Sequence, residues 1–460
     1  MRILIISDEE WNDIVYGNNV LTNWFEHFDA DFAQIYASPG LPNNNICFKY
    51  FQITDSQMVK SIIGIKKAGH ILTNIHNIKK LENANINAQR KGIYSVFKYL
   101  SLYMHTVIMF IRDFIWRFGK YDEKELKRFI QDFNPDIVFC PRLLTPKLMR
   151  LEDIVSKYTR APFIAFTADD EASLNQINYS PLFWIRRLMI HYSFRKHIKL
   201  YKHYLMFSED QAADYANRYH ISTSLLLKCG NFSPYFEEKE VGKPITMVYA
   251  GRLYCNRWKT LVAIGKALKK VNCSEEKIRL FVYSTDELTK EQRTLLSPEN
   301  HIYMKGRVSP DLLPSIYRNA DIALHVESFD KKYASITRFS FSTKIIDLMN
   351  STCAIIAICN ENQAGFKYLK NKDAAICISS EDDILNKIKM IVLDSTLIKV
   401  YAYKAWKCGI ENHQRDIIQQ KIRSIFDYYK EKNEIFAKKI NRFISFCLCV
   451  KYIIIRILEK

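Results

Sequence analysis

The strongest constraint on this chain is a rhythm that runs, stops and starts again. Short apolar runs recur in the first half at 2–7 (RILIIS), 31–38 (DFAQIYAS), 135–141 (PDIVFCP), 161–167 (APFIAFT) and 204–208 (YLMFS), each ending in polar or turn residues. Runs that short and that apolar suit strands buried on both faces, and the amphipathic stretches between them supply covering helices. That is the signature of a parallel sheet in an α/β unit. The rhythm breaks at 231–244 (NFSPYFEEKEVGKP), whose two prolines, glycine and acidic cluster read as an interdomain linker. It resumes at 245–251 (ITMVYAG), 278–284 (IRLFVYS), 301–306 (HIYMKG), 321–326 (DIALHV), 353–359 (CAIIAIC) and 374–379 (AAICIS). Two α/β units of similar size are expected, facing each other across the linker. At 460 residues, burying a core in each is no difficulty. Asp8, Glu9 and Glu10 follow the first run at once, which a secretory leader would not tolerate, so a buried first strand is expected there.

Charge narrows the partners. The net +18 is unevenly spread: no Asp or Glu lies between Glu82 and Asp113, between Glu171 and Glu209, or between Glu434 and Glu459. Each of these stretches mixes Lys and Arg with large apolar residues, which suits an anionic membrane surface better than nucleic acid. From Phe443 to Leu458 the tail is too short and too interrupted for the ~20 clean residues of a spanning helix. Arg442, Ser445, Cys449, Tyr452 and Arg456 form a narrow polar stripe at helical spacing, so an interfacial helix is expected. The 11 cysteines are odd in number and scattered, against a disulfide framework or structural zinc and for a reducing compartment.

In open parallel sheets ligands bind at the carboxyl ends of strands, so chemistry is sought there. Glycine is scarce, which makes Gly17, Gly230, Gly251 and Gly306 worth placing. No GxGxxG and no P-loop motif occurs. Gly251 ends a strand and leads into Arg252, Arg257 and Lys259, and Lys305-Gly306-Arg307 repeats the theme. A backbone that lets a ligand approach, with cations beside it, suits a diphosphate; an ordinary turn carries the same letters. Glu327 follows another strand. Beyond it, Ser342 and Thr343 fit the N-cap of a helix bearing Lys344 and Asp347, a candidate anion site with a carboxylate placed for ribose hydroxyls. A capped amphipathic helix is the plainer alternative. Asp169, Asp170 and Glu171 follow a first-half strand, where one carboxylate, preferentially Asp170, would position or deprotonate an acceptor hydroxyl, or simply cap a helix. Asp29-Ala30-Asp31 reads as a surface turn, not a metal-binding DxD, and no metal site is expected.

Three segments in order carry a resemblance: YAGRLYCNRWKTL, HIYMKGRVSPDLLPSIYRNADIALHVES and FSTKIIDLMNSTCAIIA. They make the chain similar to GT-B glycosyltransferases, family 4 above all, with the likeness clearest from about Lys243 to Glu381. The resemblance implies two Rossmann-like domains facing a cleft, here with an extra C-terminal amphipathic helix. It places Arg252 and Arg257 on the donor diphosphate, with Lys259 as a substitute, and Asp347 on the ribose. The partner Glu of the family's motif falls at Phe339 and is missing; Glu327 is a possible stand-in. Tyr16-Gly17-Asn18-Asn19 resembles the family's glycine loop near the acceptor. Phe207-Ser208 and Lys228-Cys229-Gly230-Asn231 resemble the approach to the linker, and Tyr283-Ser284-Thr285 replaces a glycine-rich turn.

The domains are therefore expected at 1–235 for the acceptor and 236–430 for the nucleotide sugar, with 431–460 as a basic membrane-interface tail. Helix 411–430 is allowed to cross back to the first domain. The expected function is a metal-independent, retaining glycosyltransferase, peripheral to the cytoplasmic face of the membrane. It would move a sugar from a nucleotide-sugar donor to a lipid-linked or surface-glycan acceptor, as in bacterial-type polysaccharide, lipopolysaccharide or capsule biosynthesis. No cofactor beyond the donor is expected. A non-catalytic partner subunit and a GT-B-type epimerase or polyol-phosphate transferase stay open as alternatives.

Overall fold

In the computed structural model, residues 1–15, 20–72, 93–141, 145–169 and 173–458 are described, with backbone alone at 93–104, 310, 437 and 440–458. The strands form two sheets. The first holds β1 (Arg2–Ser7), β2 (Asp31–Tyr36), β3 (Lys49–Gln52), β4 (His70–Leu72), β5 (Ile137–Pro141), β6 (Phe163–Thr167), β7 (Tyr201–Met206) and β8 (Thr223–Leu225), in the order 4-3-2-1-5-6-7-8. The second holds β9 (Ile245–Ala250), β10 (Ile278–Tyr283), β11 (Ile302–Gly306), β12 (Ile322–Val326), β13 (Ala354–Ile358) and β14 (Ile376–Ile378), in the order 11-10-9-12-13-14. Pairing is parallel except between β3 and β4. Every apolar run singled out in the sequence is a strand. The unexpected β3, β4 and β8 are three or four residues long, too short to show a period.

Both sheets are covered on both faces, as continuously apolar strands require. Leu4 and Ile6 of β1 enter one core and Ile3 and Ile5 another; Met247 and Tyr249 of β9 part from Val248 and Ala250 in the same way. Ile3, Ile5, Val248 and Ala250 share one cluster, so apolar packing is continuous between the two units. Nine cysteines are free thiols; Cys447 and Cys449 lie outside the described side chains.

The units are joined twice, side by side. The outgoing chain passes Gly230, whose amide donates to the His413 carbonyl at 2.8 Å, just where the returning helix Thr396–His413 ends. Phe232 is wedged between backbones: a Cβ on Gly230 would sit 2.3 Å from its ring, and one on Gly409 2.1 Å. The helix Arg415–Leu458 then crosses to the first unit. Arg415 donates to the Asn23 carbonyl at 2.8 Å, Gln419 to the Trp24 carbonyl at 2.9 Å, and Phe426 packs 5.7 Å from Phe139. Among the described residues, no helix is long and apolar enough to cross a membrane.

Candidate active site

Strand order reverses between β9 and β12, and this switch point sets the site. Two chambers open at the carboxyl ends there. The first, of about 800 Å³, lies between the second sheet and the linker; Lys228, Tyr235, Tyr283, Asp347 and Trp406 are on its walls. The second, of about 670 Å³, lies between the sheets, with Asp169, Gln176 and Phe207 from one unit and Glu327, Ser340 and Phe341 from the other. Ala250, Arg252, Tyr317 and Lys344 border both.

Lys344 is positioned by a glycine. Its ammonium crosses Gly251 to donate to the Ala250 carbonyl at 3.0 Å, and a Cβ on Gly251 would lie 2.6 Å from that nitrogen. Burial, then the neighbouring Arg257 charge, pulls the Lys344 pKa below its usual value. Arg252 is exposed at the junction of the chambers and makes no ion pair among the described residues.

Arg257 has a different fate. Burial disfavours its charge, but Glu327 receives both Nε and Nη2 at 2.7 Å and holds the guanidinium ionised. Asp347 is matched across the cleft, accepting from Lys228 Nζ at 2.7 and 2.9 Å. The Asp169 carboxylate accepts from Ser340, the Phe207 and Phe341 rings lie 6.1 Å apart, and Lys367 meets Asp210 at 2.5 Å. These contacts close the two units around the second chamber.

No family model matches the sequence, and no curated protein matches it. Solved structures do. HepE of Anabaena, determined in complex with UDP, superposes at a TM-score of 0.58 and 12% identity, over 93% of this chain and 100% of that one. Sucrose-phosphate synthase from Thermosynechococcus elongatus gives 0.58 at 11% identity, over 95% and 100%. The chain has the GT-B fold. TarM aligns at 0.47 and 12% identity, over 67% of this chain and only 58% of TarM, a likeness too low to bear on the fold.

The GT-B frame sorts the residues expected from sequence. Gly251, Arg252, Arg257, Glu327, Ser342, Thr343, Lys344, Asp347 and Asp169 all line one or both chambers. Lys259 and Gly306 line neither. Arg257 opens a helix, and Lys259 two positions on falls on another side of it, exposed and beside Trp258. Gly306 ends the edge strand β11, where its carbonyl accepts from the Ser284 amide at 3.0 Å. The Ser342-Thr343 helix also differs from expectation: it runs only Lys344–Met349, and Thr343 has helical backbone angles and no side-chain cap bond. Lys344 and Asp347, not a helix terminus, therefore supply the polar chemistry of this wall. Phe339 is buried, with the Arg338 guanidinium 4.0 Å over its ring, so no carboxylate stands there. Gly17, Asn18, Asn19 and Asp170 lie outside the described residues. Asp29-Ala30-Asp31 is an exposed turn into β2, its Asp29 carbonyl held by Arg423 at 3.0 Å.

Lys228, Tyr317 and Ser340 line the chambers, yet carry no site role in the reading from sequence. Lys228 had a signal, a lone cation two residues before Gly230 at the mouth of the linker. Ser340 and Tyr317 had none: Ser340 meets Asp169 only when the units come together, and Tyr317, on the short helix Leu313–Arg318, reads as an ordinary core aromatic.

Proposed function

We propose that the protein is a nucleotide-sugar-dependent glycosyltransferase that extends a lipid-linked or surface glycan. One observation carries this reading: Arg252 and Lys344 converge where a linker-walled chamber meets a second chamber between the units. The first chamber is the donor side, with Asp347 and Lys228 beside the ribose and the aromatic walls beside the base. The second takes the sugar and the acceptor. As the bond from sugar to diphosphate breaks, negative charge grows on the leaving group, and two fixed cations in a partly desolvated cleft stabilise it. Arg257 contributes indirectly. Its charge is spent on Glu327, so it holds that carboxylate at the chamber wall, where a donor hydroxyl would meet it.

The reading needs no metal, because the cations already border both chambers. Residues 1–235 carry the acceptor side and 236–430 the donor side, with retention as the stereochemical outcome that the family-4 resemblance implies. Similarity of fold to HepE, determined with UDP and with UDP and glucose, supports a uridine nucleotide as the first donor to try. The basic, apolar-rich stretches support peripheral attachment to the cytoplasmic face of a membrane, where such acceptors are built.

Purified protein incubated with radiolabelled nucleotide sugars and bacterial lipid extract is expected to yield labelled lipid-linked product and free nucleotide, and Arg252→Ala is expected to abolish both. Phe339 favours one other reading, a nucleotide-binding subunit without turnover. Nucleotide binding with no labelled product, together with co-purification of a second transferase, would establish it.

A further inference from the structure

Helices Asp55–Ile62, Ile93–Phe118 and Pro181–His197 pack side by side on the first unit. Their outer sides are not polar. On the second helix Ile108, Ile111, Phe114 and Phe118 are exposed at steps of three, three and four, one stripe of a helix, with Phe114 60% exposed. On the third, Leu182, Ile185, Leu188, Met189 and Tyr192 make a matching stripe, with Met189 59% exposed. Ile62, Ile63 and Ile65 extend it from the first helix. Asp113 and Arg186 clamp the two long helices together at 2.7 Å beside Phe114 and Ile185. An apolar surface of this extent is uncommon on a monomer and marks a docking site.

Charge identifies the occupant. Within 56–72, 114–120 and 173–200 the exposed charges are Lys60, Lys66, Lys67, Arg117, Lys120, Arg195, Lys196 and Lys199; the exposed acids at the margins, Asp55 and Asp153, are held by Arg112 and by His197. Residues 56–72 and 173–200 contain no Asp or Glu, and Asp113, the one acid in 105–120, is paired with Arg186. Apolar side chains ringed by cations suit a bilayer bearing anionic lipid headgroups. The position fits a task as well. Gln176 and Arg187 line the second chamber, while Ile177 and Tyr179 between them are exposed and lead from it into the apolar stripe.

We propose that this three-helix face seats the protein on an anionic bilayer, with the second chamber opening at its edge so that a lipid-anchored acceptor reaches the site without leaving the membrane. The proposal rests on the glycosyltransferase reading for its acceptor but not for its lipid binding, and the two separate by experiment. Full-length protein is floated with phosphatidylglycerol–phosphatidylcholine vesicles and with phosphatidylcholine vesicles alone, and its melting midpoint is measured with and without UDP. Wild type is expected to float with the anionic vesicles only. Ile111→Asp/Phe114→Asp/Ile185→Asp/Met189→Asp is expected to lose about ten-fold or more of the bound fraction while keeping its UDP-induced shift. A second variant, Arg117→Glu/Lys120→Glu/Arg195→Glu/Lys196→Glu, leaves the apolar stripe intact and is expected to lose anionic binding similarly. Undiminished flotation of both variants would overturn the proposal and assign binding to the C-terminal tail. So would a wild-type dimer, seen by light scattering, that the aspartate variant converts to monomer, since the face would then belong to a second copy. Normal flotation without any UDP shift would leave the surface standing and sink the donor site instead.

Discussion

Arg252 and Arg257 stand five residues apart on one strand-to-helix connection, and their neighbours separate their roles. Arg257 is joined to a nearly buried Glu327, so Arg257→Ala would strand a carboxylate in the protein. Breaking such a pair typically costs about 3 kcal/mol. Denaturant unfolding is expected to show that loss, whereas Arg252→Ala, at an exposed side chain, should leave stability within about 0.5 kcal/mol. Equal stability of the two variants would contradict the division. Gly251 offers a finer test. A Cβ there would meet the flexible end of Lys344 at 2.6 Å and the buried Tyr249 hydroxyl at 3.0 Å, so Gly251→Ala is expected to push the ammonium off the Ala250 carbonyl and to cost some stability through the Tyr249 ring. Nucleotide affinity measured by calorimetry should fall about ten-fold, as for loss of one charge-assisted hydrogen bond. Unchanged affinity would remove Lys344 from the donor site.

At the scale of elements, the double crossing between units hangs on Phe232. Gly409 leaves room in a helix for that ring, and Gly409→Leu would force the ring out of its slot. Overpacking of this kind typically costs ~1–3 kcal/mol, to be read from thermal unfolding, and an unshifted midpoint would show that Phe232 is no wedge. Legibility in the sequence follows the range of the interactions. β9 and β12 to β13 are buried along their whole length, so each carries a continuous apolar run that announces it. β4 and β8 are outer strands of three residues, and nothing in HIL or TSL distinguishes a strand from a turn. Gly251 and Arg252 were readable because a strand end brings them to the switch point, and Lys344 because it opens a helix whose first residue reaches back to that strand end. The pairs Lys228–Asp347 and Asp169–Ser340 join residues 119 and 171 positions apart, and no local pattern encodes them. Lys259 was misplaced for a local reason: counting cations along a loop ignores the helix that turns each to a different side.

The whole molecule should be acid-sensitive in a defined window. Burial above all holds His203, His325 and His413 neutral, taking their pKa values down to about 4, 3 and 4. Nearby cations add to this: Lys421 for the first, Arg257 and Lys344 for the second, Lys372 for the third. An unfolded histidine titrates near ~6.5, so below that pH the unfolded chain binds more protons than the folded one. Stability is therefore full above about pH 6.5 and falls as pH drops toward 4. The denaturant midpoint should decline from about pH 7 to about pH 5, and His413→Gln should flatten the decline; a level midpoint would contradict the burial of neutral imidazoles. His413 also accepts from or donates to Tyr368 at 2.7 Å beside the Gly230 crossing, so acid would act at the join between the units. The donor site at the switch point of the second sheet is tested most directly by thermal unfolding of wild type and Arg252→Ala across a panel of nucleoside diphosphates and nucleotide sugars. At least one of these ligands is expected to raise the wild-type midpoint in proportion to its affinity and to leave Arg252→Ala almost unmoved. No shift with any of them, or an equal shift in both proteins, would contradict it.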